Sequence, residues 1–520
     1  MLPTTLRSAT LRRVLSLSLA GGLGVLAGAC SAVLDFTECQ DDNDCSDFFT
    51  DNKPMYCSES QCKVRSKCSS NSQCAGLGDE YICSLTGACA ATTNEQCAAP
   101  IYPGGKASDE VVFIGSIVDK SGPDKELGLA AEAAFVQALD DFHAGGGALR
   151  DGKQVAIIPC DSAGSVTTAE KAANHLGNNL NVPAILGPLV DDEFTRIAEK
   201  VSVINGVLAY TNSPTAAIPL DFSDSSDLIW QTNISVNIQG RSFGTFLKHE
   251  IDNNTFGGPS PKVTLLFSLD DYGYAMYYAL ATDKKPGEIN RIPEVSSQII
   301  ASYKDLEGGK TILDGFGATD VLIILGSSEV ADLLAHYAEG GKPWPTRVYV
   351  AERSFAAITK AADTTLIPNL RAIGPNLNTE NYGKVKTRIG AAATRVEAGL
   401  AYDAAMVTLL GMSAHNGNNE PITGLAIRSA MSRLNDSTGT AVSFGEDPAK
   451  FVKTAISEIS AGKTIDVIGA SGPLNYRSDG TMCGDLVAFE LAADAKSLVP
   501  ANNFTAICPD GLTGTWTPAN

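Results

Sequence analysis

Histidine is scarce in this chain, with five in 520 residues: His143, His175, His249, His336 and His415. None stands at metal-ligand spacing from another, so the sequence offers no metal centre. Neither a Gly-x-Ser-x-Gly elbow nor a Walker loop is present, and Gly145-Gly146-Gly147 follows a helical stretch rather than a strand, which makes it a turn and not a phosphate cradle. No catalytic residue and no cofactor can be named, and an enzyme is not expected. Basic residues are also few, 39 against 59 acidic ones for a formal net charge of -20. Nucleic acid is excluded as a partner, since neutralising phosphates needs clustered Lys and Arg. Beyond Cys30 no second apolar run is long enough to span a bilayer, so the chain after that cysteine is expected to be soluble.

What is present begins with Arg7, Arg12 and Arg13 and an apolar run from Val14 to Ala29, the form of an export signal. Ala27-Gly28-Ala29-Cys30 is similar to a bacterial lipobox, with Ala27 where Leu is usual, and implies a lipid anchor on Cys30. Ser31 is not the acidic residue that marks inner-membrane retention in some bacteria, which favours the outer membrane slightly. Nine cysteines lie between Cys39 and Cys97. Cys39, Cys45, Cys57 and Cys62 are echoed by Cys68, Cys74, Cys83 and Cys89, in a segment with too few aliphatic residues for a core of its own. Small disulfide-stapled loops are predicted, with the pairing inside each unit left open. Of the remaining four, Cys483 and Cys508 flank two expected C-terminal strands and are expected to pair, which leaves Cys97 for Cys160.

From Glu110 onward short apolar runs alternate with helical periodicity, the sequence form of an α/β protein. Strands are predicted at Val111 to Val118, Val155 to Pro159, Ala184 to Leu186 and Val207 to Tyr210. A second group stands at Val263 to Phe267, Gln298 to Ala301, Val321 to Leu325 and Val348 to Val350. Between them, Leu129, Ala133, Val136 and Leu139 mark one helical face, and Ala169, Ala172, Leu176 and Leu180 another, opened by a capping box at Thr167 and Glu170. Ser413 to Lys450, rich in Asn, Gly and Ser, reads as a surface insertion. Asp270-Asp271 reads as a cap or turn at a strand end. Two groups of strands imply two lobes with a cleft at their strand ends.

In order along the chain, Ile114-Gly115, Ser121-Gly122-Pro123, Asp161, Ile185-Leu186-Gly187-Pro188, Asp270-Asp271-Tyr272-Gly273, Ala401-Tyr402-Asp403-Ala404 and Ser471-Gly472-Pro473-Leu474-Asn475-Tyr476 resemble the type I periplasmic solute-binding family, which includes leucine/isoleucine/valine-binding proteins of ABC importers. The resemblance covers about Asp109 to Ile507. It implies two Rossmann-like lobes joined by three hinge strands near Gln231, Pro375 and Asp485, preceded by a Cys-rich stalk. The division expected is signal peptide 1–29, stalk 30–107, first lobe 108–231 and 376–484, second lobe 232–375 and 485–520.

The resemblance also implies site residues. Asp191 and Asn212 stand where amino-acid binders carry a Ser and a Thr for the ligand carboxylate. An ionised Asp191 would repel a carboxylate in a closed cleft; the same residue would also suit a helix N-cap. Tyr272 matches the Tyr that closes over the ligand, and Glu352 the carboxylate that pairs with a ligand ammonium, unless it is a surface residue paired with Arg353. Ser327 and Ser328 would make the pocket wall polar or roomy, and Ser121 would donate a hydrogen bond or hold a turn. The expected function is an extracytoplasmic, lipid-anchored protein that captures a small polar, cationic or amide-bearing ligand for an ABC permease or a sensor. The alternative is a ligand-free lipoprotein of the same fold that contacts a protein in the envelope.

Overall fold

The computed structural model describes residues 39–40, 49–50, 53–58, 60–64, 67–78, 80–84, 86–105, 108, 110–149, 152–211, 224–281, 297–360, 369–415, 421–492, 497–506 and 514–519. The expected lipid anchor Cys30, the apolar run before it and Asn212 lie outside them. Among the described residues, no helix is long and apolar enough to cross a membrane.

The first sheet is wholly parallel. Its strands are β1 (Val111–Val118), β2 (Gln154–Asp161), β3 (Ala184–Leu186), β4 (Leu208–Thr211) and β5 (Ile229–Gln231), in the order β5-β4-β3-β1-β2. Buried on both faces, these strands read as continuous apolar runs rather than as alternating ones. The helices that flank the site are α1 (Lys125–Ala144) after β1, α2 (Val166–Asn174) after β2 and α3 (Asp191–Ile197) after β3.

The chain then enters a second sheet through α4 (Val236–Asp252). Strands β6 (Lys262–Ser268), β7 (Ser297–Tyr303), β8 (Val321–Leu325), β9 (Arg347–Ala351) and β10 (Leu370–Gly374) are parallel, with α5 (Asp271–Ala281) following β6. After an excursion back to the first lobe, β11 (Leu486–Leu491) pairs antiparallel with β10 and is extended by β12 (Leu498–Ala506) and β13 (Gly514–Pro518). The order is β7-β6-β8-β9-β10-β11-β12-β13. The third antiparallel strand, Gly514–Pro518, was not foreseen from sequence. Its Trp516 packs 4.5 Å from Phe246 and 5.1 Å from Phe504, ring to ring, which fixes the sheet edge on α4.

Three expectations are corrected. The buried face of α1 is Ala131, Ala134, Phe135, Ala138, Leu139 and Phe142, while Leu129 is 42% exposed. Alanines on this face let α1 approach the buried helix Ala398–Ala414 closely, while Phe135, Leu139 and Phe142 join the same core. The cap of α2 is Ser165, whose hydroxyl accepts from the Thr168 amide, and not Thr167. Its predicted inward face, Ala169, Ala172, Leu176 and Leu180, is buried throughout. The segment 421–450 is no surface excursion: helix Gly424–Met431 buries Ile427 and Met431, and strand Thr440–Ser443 pairs with Ile465–Ile468.

The Cys-rich region is joined to the first lobe rather than held apart from it. Residues 96–101 run antiparallel to β2: the Ala98 amide donates to Pro159 O (2.9 Å), and Ile101 and Ile157 exchange amide hydrogen bonds of 2.7 and 3.0 Å. The disulfide between Cys97 and Cys160 locks this added strand, as the residue count suggested. Ile82 inserts into the cluster of Leu176, Leu180, Val182 and Ile185. His175 Nε2 meets Thr92 O at 3.1 Å. Within the units the bonds are Cys39 to Cys57, Cys68 to Cys83 and Cys74 to Cys89, a first-to-third and second-to-fourth pattern in the complete second unit. The grouped sulfurs of Cys68, Cys74 and Cys89 are all spent in these bonds. Cys483 is disulfide-bonded too, and its expected partner Cys508 lies outside the described residues.

Candidate functional site

At the end of β3 the chain turns on Gly187, with φ of 82°; a Cβ there would lie 2.2 Å from Ile117 O, so only glycine lets the loop cross the end of β1 this closely. The turn delivers Asp191 to the first position of α3. The cap position itself is Val190, which has no side-chain acceptor, so the N-cap role considered for Asp191 is not realised. Its carboxylate, 5% exposed, instead pairs with the guanidinium of Arg353 from the second lobe.

On the second lobe, Asp270 Oδ1 accepts from Ser268 Oγ (2.9 Å) and from the Gly273 amide (2.7 Å), the capping role expected of the acidic pair. This fixes the first turn of α5 and buries Tyr272 completely. After β9, Glu352–Ser354 form a single 3-10 turn, closed by Ser354 Oγ donating to Ala351 O at 2.7 Å. Glu352 accepts from Asn233 Nδ2 (2.9 Å) and Gln239 Nε2 (3.0 Å), not the surface pairing with Arg353 that its neighbour suggested. Arg353 extends the other way, its guanidinium 4.6 Å from the Tyr272 ring centroid as it reaches Asp191.

Of the six residues expected to line the site, the structure therefore brings Asp191 and Tyr272 together around Arg353, with Glu352 on the same turn as that arginine. Ser121 is exposed and donates to Asp161 Oδ2 at 2.7 Å, the turn role. Ser327 is half-buried at the end of β8, its amide donating to Glu329 Oε1 at 3.0 Å. Sequence reading missed Arg353, Asn233 and Gln239. The sole signal for Arg353 was its place directly after a buried strand and an acidic residue, and that pattern suits a surface ion pair equally well.

The electrostatics are those of crowded acids around one cation. Burial pushes Asp191 up to about 7, opposed by Arg353 and reinforced by Asp270 and Asp271. Glu352 is likewise pushed up to about 7 by burial, against the two amide donors. Asp271 is raised by burial and then by Asp192 and Asp270. Burial disfavours the charge on Arg353, yet Asp191 holds its pKa above the ordinary value. Asp191 Oδ1 and Gln239 Oε1 are buried without a hydrogen bond. Unpartnered polar atoms of this kind are costly and mark places where a further group fits.

These raised values make stability depend on pH. Glu352, with Glu193 and Asp403 (each also raised to about 7 by burial), keeps a proton in the folded state that the unfolded chain has released. Their stabilisation is complete below the ordinary carboxyl range and is lost as pH rises through about 7. The free energy of unfolding, and with it the melting temperature, is expected to rise on going from pH 8 to pH 5, the free energy by up to about 1.4 kcal/mol per pH unit for each full proton, and Glu352→Gln is expected to flatten the slope. A stability maximum at pH 8 in a thermal scan series would contradict this.

Two sheets with facing strand ends, three chain crossings between them and an interlobe site decide the architecture. This is the type I periplasmic binding fold. Residues 111–257 match the family model described as periplasmic binding protein. Among solved structures, the substrate-binding protein LivJ of a branched-chain amino acid transporter from Streptococcus pneumoniae, in complex with isoleucine, is similar at 14% identity. It has a TM-score of 0.54 over 75% of this chain and 99% of that one. The leucine-binding protein LivK from Thermotoga maritima gives 15% identity and a TM-score of 0.55, over 75% and 98%. An ABC transporter solute-binding protein from R. palustris, in complex with benzoate, gives 14% and 0.51, over 75% and 95%. No curated protein matches the chain in sequence. In the three structural comparisons the shared fold accounts for three quarters of the chain.

Proposed function

We propose that the protein is an extracytoplasmic solute-binding protein that captures a small polar ligand, cationic or amide-bearing, between its two lobes. The observation that carries this reading is the buried, unpartnered Oδ1 of Asp191 on one lobe, set against the Tyr272 ring of the other around one guanidinium. A free carboxylic acid is disfavoured, because Asp191 and Glu352 would face it in a poorly hydrated space. Closure on the ligand would present a surface to an ABC permease by shifting an open-to-closed equilibrium. The several disulfides agree with an oxidising compartment, and the lipobox-like Ala27-Gly28-Ala29-Cys30 with anchoring to a membrane, the outer one slightly favoured.

One observation favours a second reading, a ligand-free module that contacts a protein partner: Arg353 already bridges the lobes. A melting-shift screen across amino acids, amides, polyamines and short peptides separates the two. A ligand at a hundred times its dissociation constant is expected to add about 2.7 kcal/mol, and Glu352→Ala is expected to weaken it, whereas simple carboxylates give no shift. If no compound produces a saturable shift, the module reading stands instead.

A further inference from the structure

We infer that Arg353 is the resident occupant of this site, a tethered guanidinium that fills the interlobe space, and that the site selects guanidinium groups as a class. The inference rests on the reading of this interface as the place where a ligand enters. Three features of the guanidinium's surroundings come from separate elements. Asp191 on α3 supplies the carboxylate, Tyr272 on α5 supplies an aromatic face at 4.6 Å, and the 3-10 turn after β9 supplies the arginine itself. The acids that act on this neighbourhood are Asp191 on α3, Asp270 and Asp271 at the start of α5, and Glu352 on the arginine's own turn. Asp192 on α3 acts through Asp271, and Glu397 through Glu352. Among the described residues, Arg353 is the cation whose charge acts on Asp191, Asp271 and Glu352 alike.

A planar, weakly hydrated cation suits such a place better than an ammonium. It stacks on an aromatic face while its N–H groups reach carboxylates in plane. Asp191 Oδ1 still has free acceptor capacity, so the cage holds more acceptors than the tethered group uses. A side chain fixed beside its site competes at an effective concentration of roughly millimolar. Free guanidinium compounds are therefore outcompeted in the native chain, and removing the tether converts the interface into an open receptor for them.

The test is chemical refilling, on the full chain. Arg353→Ala is expected to melt at lower temperature than the native chain and to regain stability saturably with methylguanidinium, half-saturating at roughly millimolar concentration. Equal methylammonium or sodium chloride is expected to do nothing comparable, and the native chain, whose tethered guanidinium competes at a similar millimolar level, is expected to need about twofold more methylguanidinium. Adding Asp191→Ala to the variant is expected to abolish refilling. Should the alanine variant fail to fold, Arg353→Gln carries the measurement, with weaker but saturable binding expected. No saturable rise in the folded variant, or an equal rise with methylammonium, overturns the inference. So does a solute found in the screen whose binding Arg353→Ala leaves unchanged, an outcome that would keep the solute-binding reading. Refilling of the variant alongside a native chain that binds no solute supports the resident-guanidinium inference while ending that reading.

Discussion

Asp191→Ala is expected to destabilise the folded chain by about 2–4 kcal/mol and to loosen the contact between the lobes. The side chain of Asp191 is 5% exposed and that of Arg353 24%, so the guanidinium keeps some contact with water and the loss falls short of that for a fully enclosed pair. What remains after the change is a cation over Tyr272 without its carboxylate, among groups that burial has pushed toward neutrality. Denaturant melts at pH 7 measure the loss. Combining the change with Arg353→Ala is expected to cost less than the two single changes added, because the second removes the charge the first left unpaired. A loss below about 0.5 kcal/mol would place the pair with ordinary surface ion pairs and remove it as a link between the lobes.

Replacing Cys97 and Cys160 together by Ala is expected to cost about 2–5 kcal/mol. The bond spans a sequence separation of 63, so its loss frees a long loop in the unfolded chain. It also untethers the strand that residues 96–101 add beside β2, leaving its amide hydrogen bonds, the packing of Ile82 and the contact of His175 with Thr92 O to hold the second four-cysteine unit on the first lobe. Limited proteolysis is expected to cut between residues 92 and 105 before the rest of the first lobe is attacked. Unchanged melting in the double variant, with no new cleavage, would show that this segment is held by packing alone.

Much of the framework was legible along the chain. The runs Ala184 to Leu186 and Val321 to Leu325 form strands at those limits, because a short β-branched and leucine run between turn residues has few other uses in a buried parallel sheet. The pairing of Cys97 with Cys160 came from counting. The face of α1 did not: its stripe through Leu129 was read from helical spacing, and several apolar stripes fit that period on a helix this rich in alanine, so the neighbouring helix decided which was buried. The segment after Ser413 looked exposed because its polar residues are the ones between its elements, and its buried residues Ile427 and Met431 are too few to show a period.

Local pattern alone determined the alternation of strands and helices, the two sheets and the cysteine-stapled leader, since each depends on periodicity or composition within a few residues. Tertiary structure decided the site. Whether Asp191 caps its helix or meets a cation, and whether Glu352 faces water or two buried amides, depends on groups 162 and 119 or 113 positions away in sequence. Charge pairs form through space, and no spacing along the chain records which arginine a buried carboxylate will find once two lobes are brought face to face.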